Sequence, residues 1–375
     1  VASSSVYLQI QDLIRAEIAA AMADGRTYRL PTEREIEARC QVSRPTVSKA
    51  LAGLAAEGLL IKPDGCRRFV VAPVAAGRLG VPKAVQRIGF VAGDLTLTGT
   101  ASSELVHRVF QGIDTAAQAQ GLRVMMGSAG TTMASERATA HDLVSAGASG
   151  LVIWPCPRSA ADLADDYLRS AELTVPVVLL DNALPEQGNT QVMFDNYRAG
   201  LNVTRWLLSQ GHTRIALITM PEAVNHVPIS ARRRGYFQAL SAAGISTDPA
   251  LIRSVPVEHY MTSGADGQRD CELSVLLDAW LHLPHRPTAI IGLEDSTAMD
   301  VILLLRQQGL SVPDDITVVG YDNLEAGRRF HPLFPTTAPD FGRLGELACE
   351  TLLDDIEGRR LDPRTYLLEV PLLVR

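Results

Sequence analysis

Hydrophobic positions repeat with two different periods along this chain, and the change between them divides it. In the first seventy or so residues the spacing is helical. Residues 7–22, YLQIQDLIRAEIAAAM, place Leu8, Ile10, Leu13, Ile14 and Ile18 along one stripe. Residues 30–60, LPTEREIEARCQVSRPTVSKALAGLAAEGLL, then hold two further helix starts. Thr32 with Glu35 three residues on is a capping box, in which each side chain satisfies a backbone N–H that the first turn leaves open. Ile36 and Cys40 mark the buried face of that helix. Ser43 caps the next one, with Pro45 in its first turn, where a missing N–H costs nothing. Val47, Leu51 and Leu54 follow at i, i+4 and i+7. After them GLLIKPDGCRRFVVAP is read as strand, turn at Pro63-Asp64-Gly65, and strand.

From Arg87 the texture becomes short, continuous apolar runs separated by helix-length stretches. RIGFVAG (87–93), LRVMMGS (122–128), GLVIWP (150–155), VPVVLLD (175–181), RIALIT (214–219), TAIIGL (288–293) and ITVVGYD (316–322) are the strand candidates. Runs with no polar alternation suit strands covered on both faces, as in parallel sheets. Gly121, Gly211, Gly244 and Gly309 each stand where a helix ends and the chain turns back toward a strand. Alternating β and α implies a doubly wound α/β architecture. Roughly 290 residues and about ten strands exceed one sheet of ordinary size, so two lobes are expected. Between the two textures, residues 74–86 (VAAGRLGVPKAVQ) are small and Gly/Pro-punctuated, which predicts a linker. The expected organisation is a head at 1–73, a linker at 74–86 and a two-lobed body at 87–375.

Composition adds a charge asymmetry. The 375 residues carry a net charge of −7, yet residues 1–73 hold ten Lys/Arg against eight Asp/Glu. A slightly basic head on an acidic body directs any polyanion to the head. The five cysteines are scattered, with no CxxC pair, which predicts reduced thiols and neither a disulfide framework nor a metal site. The start lacks the layout of a signal peptide, and no apolar run reaches the ~18 residues of a membrane span. A cytoplasmic protein without a membrane partner or cofactor is expected.

Two packed helices are common, so the head needs a specific reason to be read as a DNA-binding device. The third helix turns Val47, Leu51 and Leu54 inward and therefore presents Arg44, Thr46, Ser48 and Lys49 outward from its N-terminal half. In a helix-turn-helix that half enters the major groove. The hairpin behind it, with Arg67 and Arg68 beside the turn, has the makings of a wing that reaches phosphates or the minor groove. These residues closely resemble the winged helix-turn-helix of GntR-type bacterial regulators, whose pattern runs LPSER-x-LA, VSR-x-TV, L-x-x-EGLL and a Gly-rich wing. The resemblance spans roughly residues 6–72 and implies DNA contacts by Arg34, Ser43, Arg44, Thr46 and Lys49, with Gly65 shaping the wing. This wing reads Gly65-Cys66-Arg67 where the family has Gly-x-Gly, which implies a backbone contact by Arg67 in place of a glycine's close approach.

The body resembles a second family. RIGFVAGDL, GASGLVIWP, VPVVLLDN, FDNYRAGLNVTRWLLSQGHTRIALIT, RPTAIIGLEDSTAMDVI and GLSVPDDITVVGYDN are similar to the effector domain of LacI/GalR-type regulators, a periplasmic-binding-protein-like fold. The fold expected is thus an α+β winged helix-turn-helix head plus an α/β two-lobed periplasmic-binding-protein-like body, with parallel sheets flanked by helices. A GntR head with a LacI-like body is the combination of arabinose-repressor-type transcriptional regulators. Ligands of open α/β folds bind beyond the carboxyl ends of the strands. Asp94, Asp181, Glu294 and Asp322 stand at such ends, where carboxylates suit the hydroxyls of a sugar. The resemblance implies that Arg232, three residues before Gly235, clamps ring hydroxyls and that Asp322 accepts one; Trp154 is a candidate apolar wall. Where the family has Asn-Asp, this chain has Glu294-Asp295, so Glu294 would reach the ligand and Asp295 cap the next helix. Asp195 is expected to cap the helix that follows it.

The function expected is a sequence-specific bacterial regulator, a repressor, acting as a homodimer on an imperfect palindrome of double-stranded operator DNA and controlled by a small effector, a sugar. The same regulator answering to a nucleobase or to a protein partner is the alternative, and a sugar-processing enzyme is a remote one. GxSxG, GxxxxGK, HExxH and strand-borne GxGxxG motifs are all missing, so no catalytic residues are assigned.

Overall fold

A computed structural model describes residues 6–23, 28, 30–61, 69–71, 87–93, 101–170, 172–182, 188–221, 225–255, 268–359 and 362–375. The chain divides into two compact units, Val1–Gln86 and Arg87–Arg375. Elements are numbered in chain order.

The first unit holds α1 (Val6–Ala23), α2 (Glu33–Cys40), α3 (Arg44–Ala56) and the strands β1 (Leu60–Ile61) and β2 (Val70–Val71). Ile10, Ile14 and Ile18 are buried with Ile36, Val47, Leu51, Leu54 and Leu60. The buried stripe of α1 is narrower than the sequence suggests, because Leu8 and Leu13 are each 39% exposed. Successive residues turn by about 100°, which carries Leu8 and Leu13 off a face set by the four-residue spacing of the isoleucines. Gln11 takes up the face instead, and its buried amide donates to the Ala50 carbonyl at 3.1 Å. A buried amide without that partner would be costly. The capping box of α2 forms as expected, with Glu35 N donating to Thr32 Oγ1 and Thr32 N donating to Glu35. Ser43 does occupy the cap position of α3, but its hydroxyl bonds Thr46 Oγ1 at 2.9 Å and caps no backbone N–H. β1 and β2 pair antiparallel, Leu60 opposite Val71, as the expected hairpin requires.

The second unit contains two parallel sheets. Its first lobe runs β3 (Arg87–Ala92), α4 (Ala101–Ala119), β4 (Arg123–Ser128), α5 (Met133–Ser145), β5 (Ala148–Ile153), α6 (Ala160–Ala164), β6 (Val177–Leu180) and β7 (Thr190–Phe194). The second lobe follows with α7 (Asn196–Ser209), β8 (Ile215–Thr219), α8 (Val227–Ala242), β9 (Ile252–Ser254), α9 (Gln268–Leu281), β10 (Ala289–Ile291), α10 (Asp295–Gln307), β11 (Thr317–Val319) and α11 (Glu325–Arg329). The chain then passes through β12 (Thr336–Thr337), returns to the first lobe with α12 (Phe341–Ile356) and β13 (Thr365–Leu368), and ends at β14 (Leu372–Leu373), which pairs with β12. The sheet orders are β13-β7-β6-β5-β3-β4 and β11-β10-β8-β9, each parallel throughout.

All seven strands predicted from apolar runs are present. β7 is the informative omission: its first two residues, Thr190 and Gln191, are polar yet buried, so hydropathy hides a central strand. Each lobe also contains a helix pair that touches backbone to backbone. In the second lobe a Cβ on Gly200 of α7 would lie 2.1 Å from the Arg232 carbonyl oxygen, and one on Gly235 would lie 2.3 Å from that of Tyr197. Only glycines permit this approach, and it brings Asn196 and Arg232 side by side. No described helix is long and apolar enough to cross a membrane.

Candidate functional site

On the head, α2 and α3 supply the candidate surface. Arg34, Ser43, Arg44 and Lys49 are exposed and Thr46 is half-buried. Arg44 holds its guanidinium 3.2 Å from Glu33 on α2 and leaves most of its side chain in solvent. The Lys49 ammonium sits 4.3 Å from the centre of the Tyr7 ring, a cation–π contact that ties α3 to α1. Pairs this exposed exchange readily for phosphate, because surface ion pairs are weak and salt-screened. Gly65 and Arg67 of the wing lie outside the described residues.

In the body, Asp181 and Asp322 are drawn with Arg232 into one network, Glu294 is engaged at the start of α10, and Asp94 lies outside the described residues. Arg232 projects from α8 and donates from Nε to Asn196 Oδ1 at 2.8 Å and from Nη2 to Asp322 Oδ1 at 3.0 Å. Its third contact, from Nη1, is to the Leu293 carbonyl at 3.3 Å, and its guanidinium lies 4.3 Å from the centre of the Tyr321 ring. Asn196 in turn donates to Asp181 Oδ1 at 3.1 Å, and Phe194 N donates to the same oxygen at 3.2 Å. Asp181, Asp322 and Asn323 all take left-handed backbone conformations, with φ of 43°, 86° and 49°. Such conformations carry strain that Asp and Asn tolerate best, and they cluster at binding sites.

Burial governs the charges in this network. It pushes the Asp181 carboxyl up to about 6 against the pull of the Phe194 N–H and Arg232. Asp322 is also raised by burial, although the Arg232 guanidinium beside it opposes the shift. Asp295 is driven to about 8 by burial that its Thr336 and Leu324 hydrogen bonds do not offset.

Within the Glu294-Asp295 pair it is Glu294, and not Asp295 as expected, that caps the next helix. Glu294 caps α10, accepting from Ser296 N at 2.9 Å, Thr297 N at 3.1 Å and Thr297 Oγ1 at 3.0 Å. Asp295 turns inward, accepting from Leu324 N at 2.7 Å and from the Thr336 hydroxyl at 2.5 Å. The longer glutamate reaches back over the first turn, which frees the aspartate to bind the loop after β11. Asp195 does cap α7, through Arg198 N at 3.0 Å.

Next to this network is a cavity with Trp154, Leu105, Val106, Pro155, Asn182 and His226 in its lining. Trp154 stacks on Phe341, ring centres 6.1 Å apart and planes 28° from parallel. Asn182 and His226 join the two lobes: Asn182 Oδ1 accepts from Val227 N at 2.8 Å, while its Nδ2 donates to the Pro155 carbonyl at 3.0 Å. His226 caps α8, its Nδ1 accepting from Ile229 N at 3.5 Å. Burial, reinforced by the charge of Arg232, lowers the imidazole to about 3, so it is neutral at physiological pH.

The wall of the cavity rests on a buried cluster that no motif marks. Arg158 donates from Nη2 to Glu136 Oε1 at 2.6 Å and from Nη1 to the Cys156 carbonyl at 2.8 Å, and its Nε lies 3.3 Å from Asp166. Tyr167 OH donates to Glu136 at 3.0 Å, and Cys156 N donates to it at 2.6 Å. The Arg158 carbonyl accepts from the Asn225 backbone at 3.2 Å and side chain at 3.0 Å, across from one lobe to the other. On the other side, Arg108 donates to the Asn323 carbonyl at 3.1 Å and Glu325 N donates to Glu104 at 3.0 Å. Asn182 could have been suspected as the polar neighbour of Asp181 at a strand end. Glu136 and Arg158 sit in unremarkable polar stretches and could not.

Comparison with known proteins supports both units. Residues 4–70 match the gntR family of bacterial regulatory proteins, and residues 204–375 match the periplasmic binding protein-like domain. The arabinose metabolism transcriptional repressor of Geobacillus stearothermophilus is 27% identical over 360 residues, covering 95% of this chain and 92% of that protein. The HTH-type transcriptional repressor CytR of Escherichia coli (strain K12) is 25% identical over 358 residues, 92% of this chain and 95% of CytR. Among solved structures, the complex of the transcriptional regulator CelR with cellobiose superposes with a TM-score of 0.65 at 23% identity, covering 92% of this chain and 99% of that one. The lac repressor dimer bound to operator and the anti-inducer ONPF gives 0.64 at 23% identity, covering 81% and 97%. At that identity the structures attest the fold alone.

Proposed function

We propose that this chain, a ligand-controlled transcriptional repressor in which a gntR-type head is joined to a periplasmic-binding-protein-like body, binds its effector in the cleft bordered by Trp154, Asn182 and His226. The observation that carries this reading is the cavity itself, whose lining comes from both lobes and which adjoins the Arg232–Asp322 pair. A small molecule seated there changes the lobe-to-lobe contacts at Asn182, Arg158 and Glu104, and any difference in its affinity for two lobe arrangements shifts their populations. Arg34, Arg44, Thr46 and Lys49 would read the major groove, with Ser43 at the helix start. Gly65 and Arg67 would shape the wing against the backbone.

Two protomers would place two such heads on an imperfect palindrome, since a two-fold protein matches a two-fold site. The lac repressor structure, a dimer on operator, supports that arrangement by analogy. The domain limits 1–73, 74–86 and 87–375, a cytoplasmic location and a sugar as effector complete the proposal; the arabinose repressor is the relative that favours a sugar. Selection of bound fragments from randomised DNA, followed by gel shifts with and without candidate effectors, tests it. Recovery of one operator whose affinity a small molecule changes supports the reading. A chain that selects no sequence refutes it.

A further inference from the structure

Lys49, on the outward face of α3, belongs to a seam that laces α3 to α1. Tyr7, Gln11 and Arg15 stand four residues apart on α1, and at about 3.6 residues per turn that spacing sets them one above another. Each meets α3. The Tyr7 ring faces the Lys49 ammonium, which lies 4.3 Å from the ring centre. The buried Gln11 amide donates to the Ala50 carbonyl at 3.1 Å, beside Gly53, where a Cβ would overlap that amide. Arg15 grips the Glu57 carboxylate from two nitrogens, Nη2 to Oε1 at 2.6 Å and Nε to Oε2 at 3.2 Å. The three rungs run in the same order along both helices, so α1 fixes where α3, and Lys49 with it, comes to lie.

The outer rung differs from the other two in holding a cation that solvent reaches. Lys49 is exposed, while Tyr7 is partly buried against the core of the head. A ring anchored in that way is a fixed platform for a side chain that is otherwise rich in rotamers. The neighbouring outward cation shows the contrast. Arg44 is paired through Nε with Glu33 at 3.2 Å, and the carboxylate offsets the charge that it orients. A phenol ring is neutral, so Lys49 is oriented and keeps its full charge for a polyanion. The ammonium has three N–H donors, and a ring on one side leaves donors for a second acceptor.

Resting on the reading of Lys49 as a DNA contact, we infer that Tyr7 is a positioning residue for operator binding. Its ring holds the Lys49 ammonium in place before DNA arrives and stays against it in the complex. Such preorganisation lowers the ordering cost that an exposed lysine meets when it engages a phosphate or a base edge. The sign of the effect is diagnostic. A ring that merely parked the ammonium, and that DNA had to displace, would oppose binding, so its loss would tighten the complex. A ring that positions the ammonium does the reverse, and its loss weakens the complex.

The test uses the full-length chain and a duplex bearing the operator that it selects, with affinity read by gel shift and folding by melting temperature. Tyr7→Leu should weaken binding by about two- to fivefold, the range of one exposed cation–π contact. Tyr7→Phe, which keeps the ring, should retain most of the affinity. In a Lys49→Ala background Tyr7→Leu should add nothing, because the pair has then lost its cation. Tyr7→Phe variants whose ring carries one, two or three fluorines should bind progressively more weakly, since fluorine withdraws the electron density that attracts the ammonium and leaves packing nearly unchanged. A ring with only a structural role would not show that series, which also serves if Tyr7→Leu fails to fold. Tighter binding by Tyr7→Leu, the same loss in the Lys49→Ala background, or equal binding across the fluorinated series overturns the inference. Operator binding by Lys49→Ala as tight as that of the native chain would instead remove the reading on which it rests.

Discussion

Arg232 on α8 and Asp322 after β11 meet at 3.0 Å although 90 positions separate them, and both are largely buried. Other contacts hold the pair: Asn196 accepts from Arg232 Nε and the Leu293 carbonyl from Nη1, and the Tyr321 ring covers its face. A guanidinium so surrounded cannot move without disturbing the ends of several strands. That makes it suited to relaying what occupies the neighbouring cavity.

Arg232→Met should therefore cost about 3 kcal/mol of stability, because it leaves Asp322 as an uncompensated buried charge. Asp322→Asn added to that background should recover part of the loss. A double-mutant cycle by chemical denaturation measures the coupling. Arg232→Met should also abolish the effector response of operator binding while sparing binding by the unliganded chain.

Glu136→Gln should be more damaging than its conservative character suggests. The carboxylate is fully buried and accepts from Arg158, Tyr167 and the Cys156 backbone. Neutralising it leaves Asp166 as the one carboxylate paired with Arg158 among the described contacts and loosens the Pro155–Pro157 wall, a loss of about 3 kcal/mol by the same reasoning. Calorimetric melting checks the loss. A weaker effector affinity in the folded fraction would show that the cluster positions the cavity.

Asp295 predicts a pH dependence with a definite sign. Its carboxyl titrates near 8 in the folded body, driven up by burial, against about 3.9 in an unfolded chain. Between those values the folded state keeps a proton that the unfolded state has lost, so this residue's contribution to stability is full below about pH 4 and declines as pH rises to 8. Asp295→Asn removes the titration and keeps an acceptor for Leu324 N. The melting temperature of the variant relative to the native chain should climb from pH 4 to 8 and then level off. A difference independent of pH would contradict the buried, protonated carboxyl.

On the head, Lys49→Ala and Arg44→Ala should each weaken operator binding by about tenfold or more, the range of a lost base or phosphate contact. Neither should change the melting temperature of the head by much, since exposed pairs contribute little to stability. Gel shifts at several salt concentrations separate the roles: a phosphate contact reduces the salt slope, and a base contact relaxes specificity at one position.

Local patterns made most of the architecture legible. A capping box at Thr32 and Glu35, apolar runs of buried parallel strands and turn glycines act over a few residues, so the sequence records them directly. The GntR and LacI-type signatures are similarly local strings. β7 escaped because Thr190 and Gln191 are buried by neighbours on both sides, a property of sheet order and not of hydropathy.

The site divides along the same line. The sequence by itself determined which polar residues stand at strand ends, because each follows its own strand. Which of them bind one another was decided by tertiary structure alone. Arg232 with Asp322, Glu136 with Arg158, and Glu104 with Glu325 N join positions 90, 22 and 221 residues apart. That Glu294 and not Asp295 caps α10 goes with the loop after β11, which presents Leu324 N to the shorter side chain. A carboxylate's type fixes what it can accept, but burial and the nearest donor decide what it does accept, and both depend on where distant parts of the chain come to rest.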